Sequence, residues 1–403
     1  MIRRFPAVLL TAAGVACGEA ASESATAAVR DSAGIAIVEN PAAAAERELP
    51  WTIAAEPSLV IGVAEGAPEY QLYQVTAVTR LPDGRIAVVN AGSGQVRFYG
   101  PAGQFLDAVG RPGDGPGEFR GMVLVGVAAD HSLLLYDMQA QRFTWVSAVP
   151  AIGRMFPSAG PGGARLRVTP RGRLATSEIV ASGPALVEGM PSTGTRDPLQ
   201  PLLRLGPDGT VGDTIGRFTN EPRHVLIEEE FISIARVPFG TRTRFAVGPD
   251  AIHAGTADGW EIRTYDGEGR PVRITRLDRP RRPVTDADRE AWIARGIAES
   301  SLQSAALRRQ YEAMEIPEWM PAYGRVLRDP DDFLWVEEYR APGDDGPPRW
   351  LVVDPGGRVL GAITFPAGLS VLEVGTDYVL GLAHDELDAQ QVAMHRLDRG
   401  EGR

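Results

Sequence analysis

Residues 72–119 decide the fold: LYQVTAVTRLPDGRIAVVNAGSGQVRFYGPAGQFLDAVGRPGDGPGEF. The stretch contains four apolar-rich runs of strand length, at 74–81, 85–90, 96–99 and 105–109. Turn sequences such as Pro82-Asp83-Gly84 and Gly92-Ser93-Gly94 separate them, and their residues have the dihedral freedom that tight turns need. The stretch therefore predicts four successive antiparallel strands, a twisted meander that must bury both of its faces against neighbouring units.

Similar units recur along the chain. Ile61-Gly62 parallels Val109-Gly110, and the two glycines are 48 positions apart. Ile215-Gly216 repeats the pattern again, and turn signatures such as Pro170-Arg171-Gly172 continue the rhythm. Once an inserted stretch is set aside, residues 51–397 hold six units of about 50 residues. The last unit, 369–397, has only three strands, so we predict that residues 59–62 provide its fourth.

The inserted stretch, residues 284–320, has a different texture. It begins with a sequence from Thr285 to Asp288 that resembles a capping box. Residues 290–299 and 302–314 then carry alanine, leucine and arginine at helical density, and Pro317 and Pro321 follow. We expect two short helices packed against one end of the ring.

The predicted fold class is all-β: a six-bladed β-propeller of four-stranded antiparallel blades, with a two-helix insertion between blades 4 and 5. The expected division of the chain is a signal peptide at 1–16, a lipid-anchored tether and N-terminal strand at 17–50, the propeller at 51–397, and a C-terminal tail at 398–403.

The first residues indicate export. Arg3 and Arg4 precede an apolar run at 5–16, which is too short to span a bilayer and is typical of a signal peptide. Cys17, the only cysteine, ends this run and resembles the acylated cysteine of bacterial lipoproteins. Cleavage after Ala20 without lipidation is the alternative. We expect a cell-envelope lipoprotein that faces the periplasm or lies in the outer membrane, with residues 18–30 as a flexible tether.

Composition excludes some functions. The 46 glycines and 32 prolines are spread along the whole chain, which favours many short strands over a disordered protein. All 41 basic residues are arginine, so a lysine Schiff base is excluded. The net charge of −11 and the lack of a basic stripe argue against nucleic-acid binding.

The segment from Gly110 to Phe119, with Leu81 to Arg85 and Leu334-Trp335-Val336, resembles the NHL-like six-bladed propellers of bacterial exported proteins. The resemblance covers most of residues 51–397 and implies how blades join. It does not select a function, because that family includes protein-binding modules and a minority of lyases, lactonases and hydrolases. We interpret Asp114-Gly115-Pro116-Gly117 as a turn between blades in which Glu118 binds nearby backbone.

Candidate site residues are few. His224, His253 and His384 lie near predicted strand ends, where side chains of different blades can converge. Trp292 and Trp319 belong to the insertion and would either anchor it or line a binding surface. Asp329, Asp331 and Asp332 form a turn that we expect to be solvated, with calcium chelation as the alternative.

The leading hypothesis is a non-catalytic binding or scaffolding propeller, because the sequence contains no catalytic motif. The alternative is a metal-dependent lactonase- or lyase-like hydrolase with its site in the central channel. A third option is a small molecule or glycan bound under the insertion. We expect no cofactor, with a divalent cation such as Ca²⁺ left open. We expect a monomer whose partner is a protein or a small-molecule or glycan ligand.

Overall fold

The computed structural model describes residues 26–185, 193–227, 232–298, 308, 311–312 and 314–400. The predicted signal peptide and Cys17 lie outside these residues. The described chain is mostly β and is built largely from four-stranded antiparallel sheets, as the sequence predicts.

Six of these sheets follow one another along the chain. The first three consist of Val75–Arg80, Ile86–Asn90, Gln95–Tyr99 and Phe105–Val109; Met122–Val127, Leu133–Asp137, Arg142–Val146 and Ile152–Pro157; and Thr169–Arg173, Ile179–Ser182, Leu199–Leu205 and Val211–Thr219. The others contain Arg244–Val247, Ala251–Gly255, Glu261–Asp266 and Pro271–Leu277; Val326–Arg328, Leu334–Glu337, Arg349–Val353 and Val359–Thr364; and Ser370–Val374, Tyr378–His384, Gln390–Asp398 and Leu59–Ile61.

The first-listed strand of each sheet, here called the inner strand, contacts the inner strands of two other sheets. These contacts follow chain order, and the inner strand of the sixth sheet contacts that of the first. An apolar cluster lies between each pair of neighbouring sheets. Each sheet therefore buries both faces against its neighbours, which is what a lone four-stranded meander cannot do.

The sixth sheet is completed by a strand from the other end of the chain. Leu59–Ile61 pairs antiparallel with Gln390–Asp398, and Ile61 lies opposite Val392. The predicted closure is therefore confirmed. Leu59 and Ile61 are buried in the cluster between the sixth and first sheets.

Residues 28–61, here called the belt, run along the outer edges of the fourth and fifth sheets and end as the outer strand of the sixth. Ala28–Ser32 and Ile35–Asn40 form a hairpin, and the second strand pairs parallel with Pro271–Leu277 of the fourth sheet. The helix Ala43–Glu46 and a bridge from Glu48 to Ala362 lie against the fifth sheet. The tether predicted at 18–30 is therefore too long, because residues 28–30 pair with residues 37–39 in this hairpin.

Asn40 joins the belt to two sheets. Its buried side-chain Nδ2 donates to the Arg276 carbonyl (2.9 Å) and to the Gly357 carbonyl (3.0 Å), and its Oδ1 accepts from the Val359 N–H (2.8 Å). Both N–H donors of this amide and its oxygen thus bind backbone groups of the fourth and fifth sheets, which holds the crossing point of the belt in place.

Smaller elements connect the sheets. They are a three-stranded sheet of Gly194–Arg196, Arg223–Ile227 and Ile232–Arg236; a parallel pair of Arg111–Pro112 and Glu118–Phe119; and the 3₁₀ helices Pro68–Tyr70, Ala91–Ser93 and Pro161–Gly163. The Glu118 carboxylate accepts from the Gly115 N–H (2.8 Å) and from Arg111 Nε (2.8 Å). The backbone-binding role predicted for Glu118 is confirmed.

One predicted turn is wrong. Pro170-Arg171-Gly172 lies inside the inner strand of the third sheet, with an irregularity in the pairing between Pro170 and Gly172. A Cβ at Gly172 would lie 2.6 Å from the Cβ of Val247 in the fourth sheet. The glycine therefore permits a close approach of two strands, a role that the sequence pattern does not distinguish from a turn.

The insertion begins as predicted. The Thr285 Oγ1 accepts from the Asp288 N–H (3.2 Å) and the Asp288 Oδ2 accepts from the Thr285 N–H (3.0 Å), which is the reciprocal pattern of a capping box. The helix Asp286–Ala298 follows and lies, in the chain, between the fourth and fifth sheets. Most of the second predicted helix, 302–314, falls outside the described residues.

The turn at 329–332 differs from the expected solvated loop. Asp329 is buried, and its carboxylate accepts from Trp335 Nε1 (2.9 Å) and from Arg399 Nη2 (2.7 Å). The Arg399 side chain is 9% exposed and its guanidinium lies 5.0 Å from the Trp51 ring centroid. This pair fixes the end of the chain against the fifth sheet, because a buried charge needs a close counter-charge.

We predict that Arg399→Met lowers the free energy of unfolding by about 3–5 kcal/mol, because it leaves the Asp329 carboxylate buried without its counter-ion. Chemical denaturation monitored by tryptophan fluorescence measures the change. Arg396→Met, at a side chain that is 74% exposed, is the matched control and is expected to be nearly neutral. Equal losses in the two variants would contradict a special role for Arg399.

Candidate functional site

The six inner strands bring side chains of separate sheets together, and two of these strands carry arginines. Arg171 lies on the inner strand of the third sheet and Arg244 on that of the fourth. Arg242 precedes Arg244 by two residues, and side chains two residues apart on an extended chain point to the same side. We define Arg171, Arg242 and Arg244 as the central arginines.

Local contacts hold Arg171 in place without neutralising it. Its Nε donates to the Ser182 Oγ (2.8 Å), and its guanidinium carbon lies 5.0 Å from the centroid of the Phe245 ring. Phe245 is the chain neighbour of Arg244, so this contact ties Arg171 to the strand that carries the second arginine. The Arg244 Nε is buried and has no hydrogen-bond partner among the described residues.

The two carboxylates that raise the pKa of Arg244, Glu221 and Glu337, already pair with arginines. Glu221 pairs with Arg223 (3.3 Å), Arg236 (3.2 Å) and Arg242 (3.8 Å). Glu337 likewise pairs with Arg325 (2.8 Å). Within the described ranges no salt bridge reaches Arg171 or Arg244, since no carboxylate oxygen comes within 4.0 Å of either guanidinium. The central arginines thus carry an excess of positive charge in a chain of net charge −11.

The environment acts on the arginine pKa values. The pKa of Arg171 is lowered to about 10, first by burial and then by repulsion from Arg242 and Arg244. The pKa of Arg244 is also lowered to about 10, by burial and by Arg242, while Glu221 and Glu337 act in the opposite direction. Both groups remain cationic near neutral pH, so each repels the other and each gains from any anion that enters.

The three candidate histidines lie apart. His224 is buried in the three-stranded sheet, where its Nδ1 lies 3.5 Å from the Thr195 Oγ1. His253 is buried in the second strand of the fourth sheet, and His384 is exposed at the end of a strand of the sixth. The structure therefore brings no two of them together.

The two tryptophans belong to different contacts of the insertion. Trp292, on the helix, packs against Phe239, Met320 and Ala341. Trp319 pairs through its backbone with Pro283, and the Arg281 guanidinium lies 5.7 Å from its ring. Trp292 thus has the contacts of an anchor for the helix.

A cavity of about 140 Å³ lies beside the insertion and is lined by Trp260, Tyr339 and the basic cluster Arg279, Arg281 and Arg282. Each of these arginines already has a carboxylate partner: Glu338 at 2.6 Å, Asp258 at 3.0 Å and Asp288 at 2.9 Å, respectively. An anion would have to displace those partners. The central arginines are therefore a better candidate for anion binding than this cavity, although the cavity has the clearer boundary.

No group of three or more His, Cys, Asp or Glu side chains is placed to hold a metal ion within the portion of the chain that the structure describes. The helices of that portion are all too short or too polar to cross a membrane.

Solved structures resemble this fold at very low sequence identity. A member of the DUF4221 family from Bacteroides vulgatus is 10% identical, with 87% of this chain and 99% of that chain covered and a TM-score of 0.51. A candidate exported protein of Bacteroides fragilis is also 10% identical, with 91% and 100% covered and a TM-score of 0.49. A catalytically inactive variant of virginiamycin B lyase from Staphylococcus aureus is 10% identical. The match covers 86% of this chain and 99% of that chain, with a TM-score of 0.42.

These proteins have propeller-type folds. This chain has a propeller-type fold. The likeness extends to the fold alone, because the identities are too low to carry a function. No protein-family model and no curated protein matches the sequence.

Sequence reasoning missed the central arginines. The available signal was the alternation in Pro-Arg-Gly-Arg at 170–173 and Thr-Arg-Thr-Arg at 241–244, which places two arginines on one side of a strand. The first motif resembled a turn, and only the assembled sheets bring Arg171 and Arg244 to adjacent strands.

The burial of His253 makes the free energy of unfolding depend on pH. Burial, with help from Arg273 and Arg328, lowers its pKa from 6.5 to about 4. The folded protein therefore disfavours the protonated ring, so the contribution of His253 is fully present above pH 6.5 and is lost as the pH falls towards 4. We expect His253→Gln, which can still bind the Thr264 hydroxyl, to remove about 3 kcal/mol of this pH dependence.

Urea denaturation at pH 7.5 and pH 4.5 measures this difference, and His384→Gln at the exposed histidine is the control. Other groups titrate in this range, so the comparison is between the slopes of the three proteins. A His253→Gln slope equal to that of the unaltered protein would contradict the prediction.

Proposed function

We propose that this chain is an exported, membrane-tethered, NHL-like six-bladed β-propeller that binds an anionic ligand at its centre and catalyses no reaction. The observation that carries the binding function is the pair Arg171 and Arg244. These two partly buried guanidiniums lie on adjacent inner strands, and no described carboxylate pairs with either. Such a pair costs stability unless an anion offsets it, so ligand binding gives it a physical reason.

Three observations support six blades. The inner strands contact each other in a closed order, an apolar cluster lies at each of the six sheet interfaces, and the strand Leu59–Ile61 joins the two ends of the chain. Closure by such a strand leaves no open sheet between the last blade and the first.

Export and tethering are supported by the sequence before the belt. Arg3, Arg4 and the apolar run at 5–16 have the order of a signal peptide, and Cys17 follows directly. An acyl chain on Cys17 would hold the propeller at the cell envelope while leaving its faces open to a ligand. A single acyl chain binds a membrane reversibly. Stable anchoring through Cys17 therefore requires more than one acyl chain.

Arg171→Gln combined with Arg244→Gln tests the binding function. We expect anions such as phosphate or citrate to raise the melting temperature of the unaltered protein, with an affinity that falls as NaCl is added. The double variant should lose this response and be at least as stable without ligand, because charge repulsion is removed. Arg358→Gln, at an exposed turn, is the control. No anion-dependent shift in the unaltered protein would contradict the proposal.

Cys17→Ser tests the tether. We expect the unaltered protein, expressed in a bacterial host, to incorporate labelled palmitate and to partition into the detergent phase of Triton X-114. The serine variant should remain in the aqueous phase without label, because it lacks the thiol that is acylated. Equal partitioning of the two proteins would rule out lipidation at Cys17 and would favour the alternative cleavage after Ala20.

A further inference from the structure

We infer that a cleft between the third and fourth sheets binds a second ligand, a small aromatic monocarboxylate. The cleft has a volume of about 320 Å³, which lies in the range of small-molecule sites. Its walls come from Val211–Thr219, the last strand of the third sheet, and from Ala251–Gly255 and Glu261–Asp266 of the fourth. None of the central arginines is among the described residues that line it, so this site goes beyond the proposed function.

The cleft lies at the interface of the ring that is filled least. Among the described residues, only four apolar side chains are fully buried between the third and fourth sheets: Leu174, Val180, Leu202 and Ile252. The other five interfaces each bury ten or more. Protein interiors are normally close-packed, so an interface left open is a place where a ligand can take the position of missing core side chains.

Half-buried aromatic rings form one wall of the cleft. The Phe218 ring is nearly perpendicular to the Tyr265 ring, with centroids 6.0 Å apart, and its centroid lies 5.3 Å from that of Phe245. A Cβ at Gly216 would lie 3.1 Å from Phe218 Cε2, so the glycine lets this ring lie close to its own strand. Phe218 and Tyr265 therefore offer a fixed apolar surface, and the ring of a ligand that covers it removes apolar area from water.

An alternating row of charges ends in the cleft. Arg263 Nε lies 2.8 Å from the Glu261 carboxylate, whose other oxygen pairs with Arg276 at 2.9 Å. Arg276 also lies 3.7 Å from Glu39, which pairs with Arg30 at 3.4 Å. Arg263 and Glu261 both line the cleft, but two arginines already share the charge of Glu261. The row has three cations and two anions, so its excess positive charge favours a ligand with one negative charge.

The strand sets the length of the ligand. Arg263 and Tyr265 are two residues apart, so their side chains point to the same side and start about 7 Å from each other. Ile262, which alternates with them, packs in the cluster between the fourth and fifth sheets, and this leaves Arg263 and Tyr265 on the side of the third. A benzene ring joined to a carboxylate through two carbon atoms can contact both side chains at once.

Isothermal titration calorimetry with 3-phenylpropionate tests this site on the whole protein. We expect this acid to bind at least about fivefold more tightly than its neutral amide, because a charged hydrogen bond to Arg263 is stronger than a neutral one. It should bind at least about tenfold more tightly than propionate, because its ring is buried against Phe218 and Tyr265. Benzoate should bind more weakly than 3-phenylpropionate, because it lacks the two-carbon spacer.

Variants separate the charge from the rings. Arg263→Gln should reduce the preference for the acid over the amide to less than about twofold, while Arg358→Gln, at an exposed turn, retains it. Phe218→Leu should weaken binding of the acid and of the amide by the same factor, and Tyr265→Leu replaces it if that variant does not fold.

Equal binding of the acid and its amide, or of 3-phenylpropionate and propionate, would overturn the inference, as would the absence of any binding. The proposed function is tested separately by the anion-dependent rise in melting temperature. Arg263→Gln should leave that rise unchanged, because the central arginines do not line the cleft, so failure of one site is distinguished from failure of the other.

Discussion

The pairing of Leu59–Ile61 with Gln390–Asp398 is the contact on which the rest of the structure depends. Every sheet buries both faces only if the first and sixth sheets meet, and this strand lies between them. Joining segments more than 300 residues apart costs about 5 kcal/mol of chain entropy. Burial of Leu59, Ile61 and Leu72 offsets this by roughly 2 kcal/mol each. Closure is thus favourable because the joining strand and Leu72 together fill the last core.

The belt extends the same principle to the outer edges of the sheets. The outer strands of the fourth and fifth sheets receive backbone partners from residues 28–61, and the last segment of the belt, Leu59–Ile61, is itself the outer strand of the sixth sheet. Asn40 forms hydrogen bonds with backbone groups of two sheets at once, so the belt fixes the position of one sheet relative to the next. An exposed sheet edge is a template for unwanted pairing, and the belt covers two of them.

The repeated four-stranded units could be predicted from the sequence, but the contacts between side chains of different units could not. The four strands of residues 72–119 were predictable because apolar runs alternate with turn residues, and Gly62 and Gly110 both adopt the positive φ that glycine permits. Gly216, which also follows a β-branched apolar residue, lies inside the strand Val211–Thr219 and is not an equivalent position. The regular spacing of the three glycines suggested three equivalent positions in the repeat. Only Gly62 and Gly110 are equivalent in the structure.

Buried polar contacts across distant segments left no local signal. Asp329 looked like a solvated turn residue because its partner, Arg399, is 70 positions away. Arg171 and Arg244 looked unremarkable because each lies in a separate unit, and only the order of the inner strands makes them neighbours. A pattern confined to one unit of a repeat fold can predict that unit, but not which side chains the ring places together.

The inner strands of the third and fourth sheets show how closely the ring fixes neighbouring sheets. Arg171 and Arg244 are partly buried on these two strands, and burial, followed by repulsion from neighbouring arginines, lowers the pKa of each to about 10. Gly172 packed against Val247, and Arg171 over Phe245, hold the strands close in spite of it. The apolar interfaces of the ring supply the opposing free energy, so Arg171 and Arg244 can stay in place without a carboxylate partner among the residues that the structure describes. A closed ring can hold partly buried charges on adjacent strands, whereas an isolated sheet, which leaves a face unpacked, cannot fix them in this way.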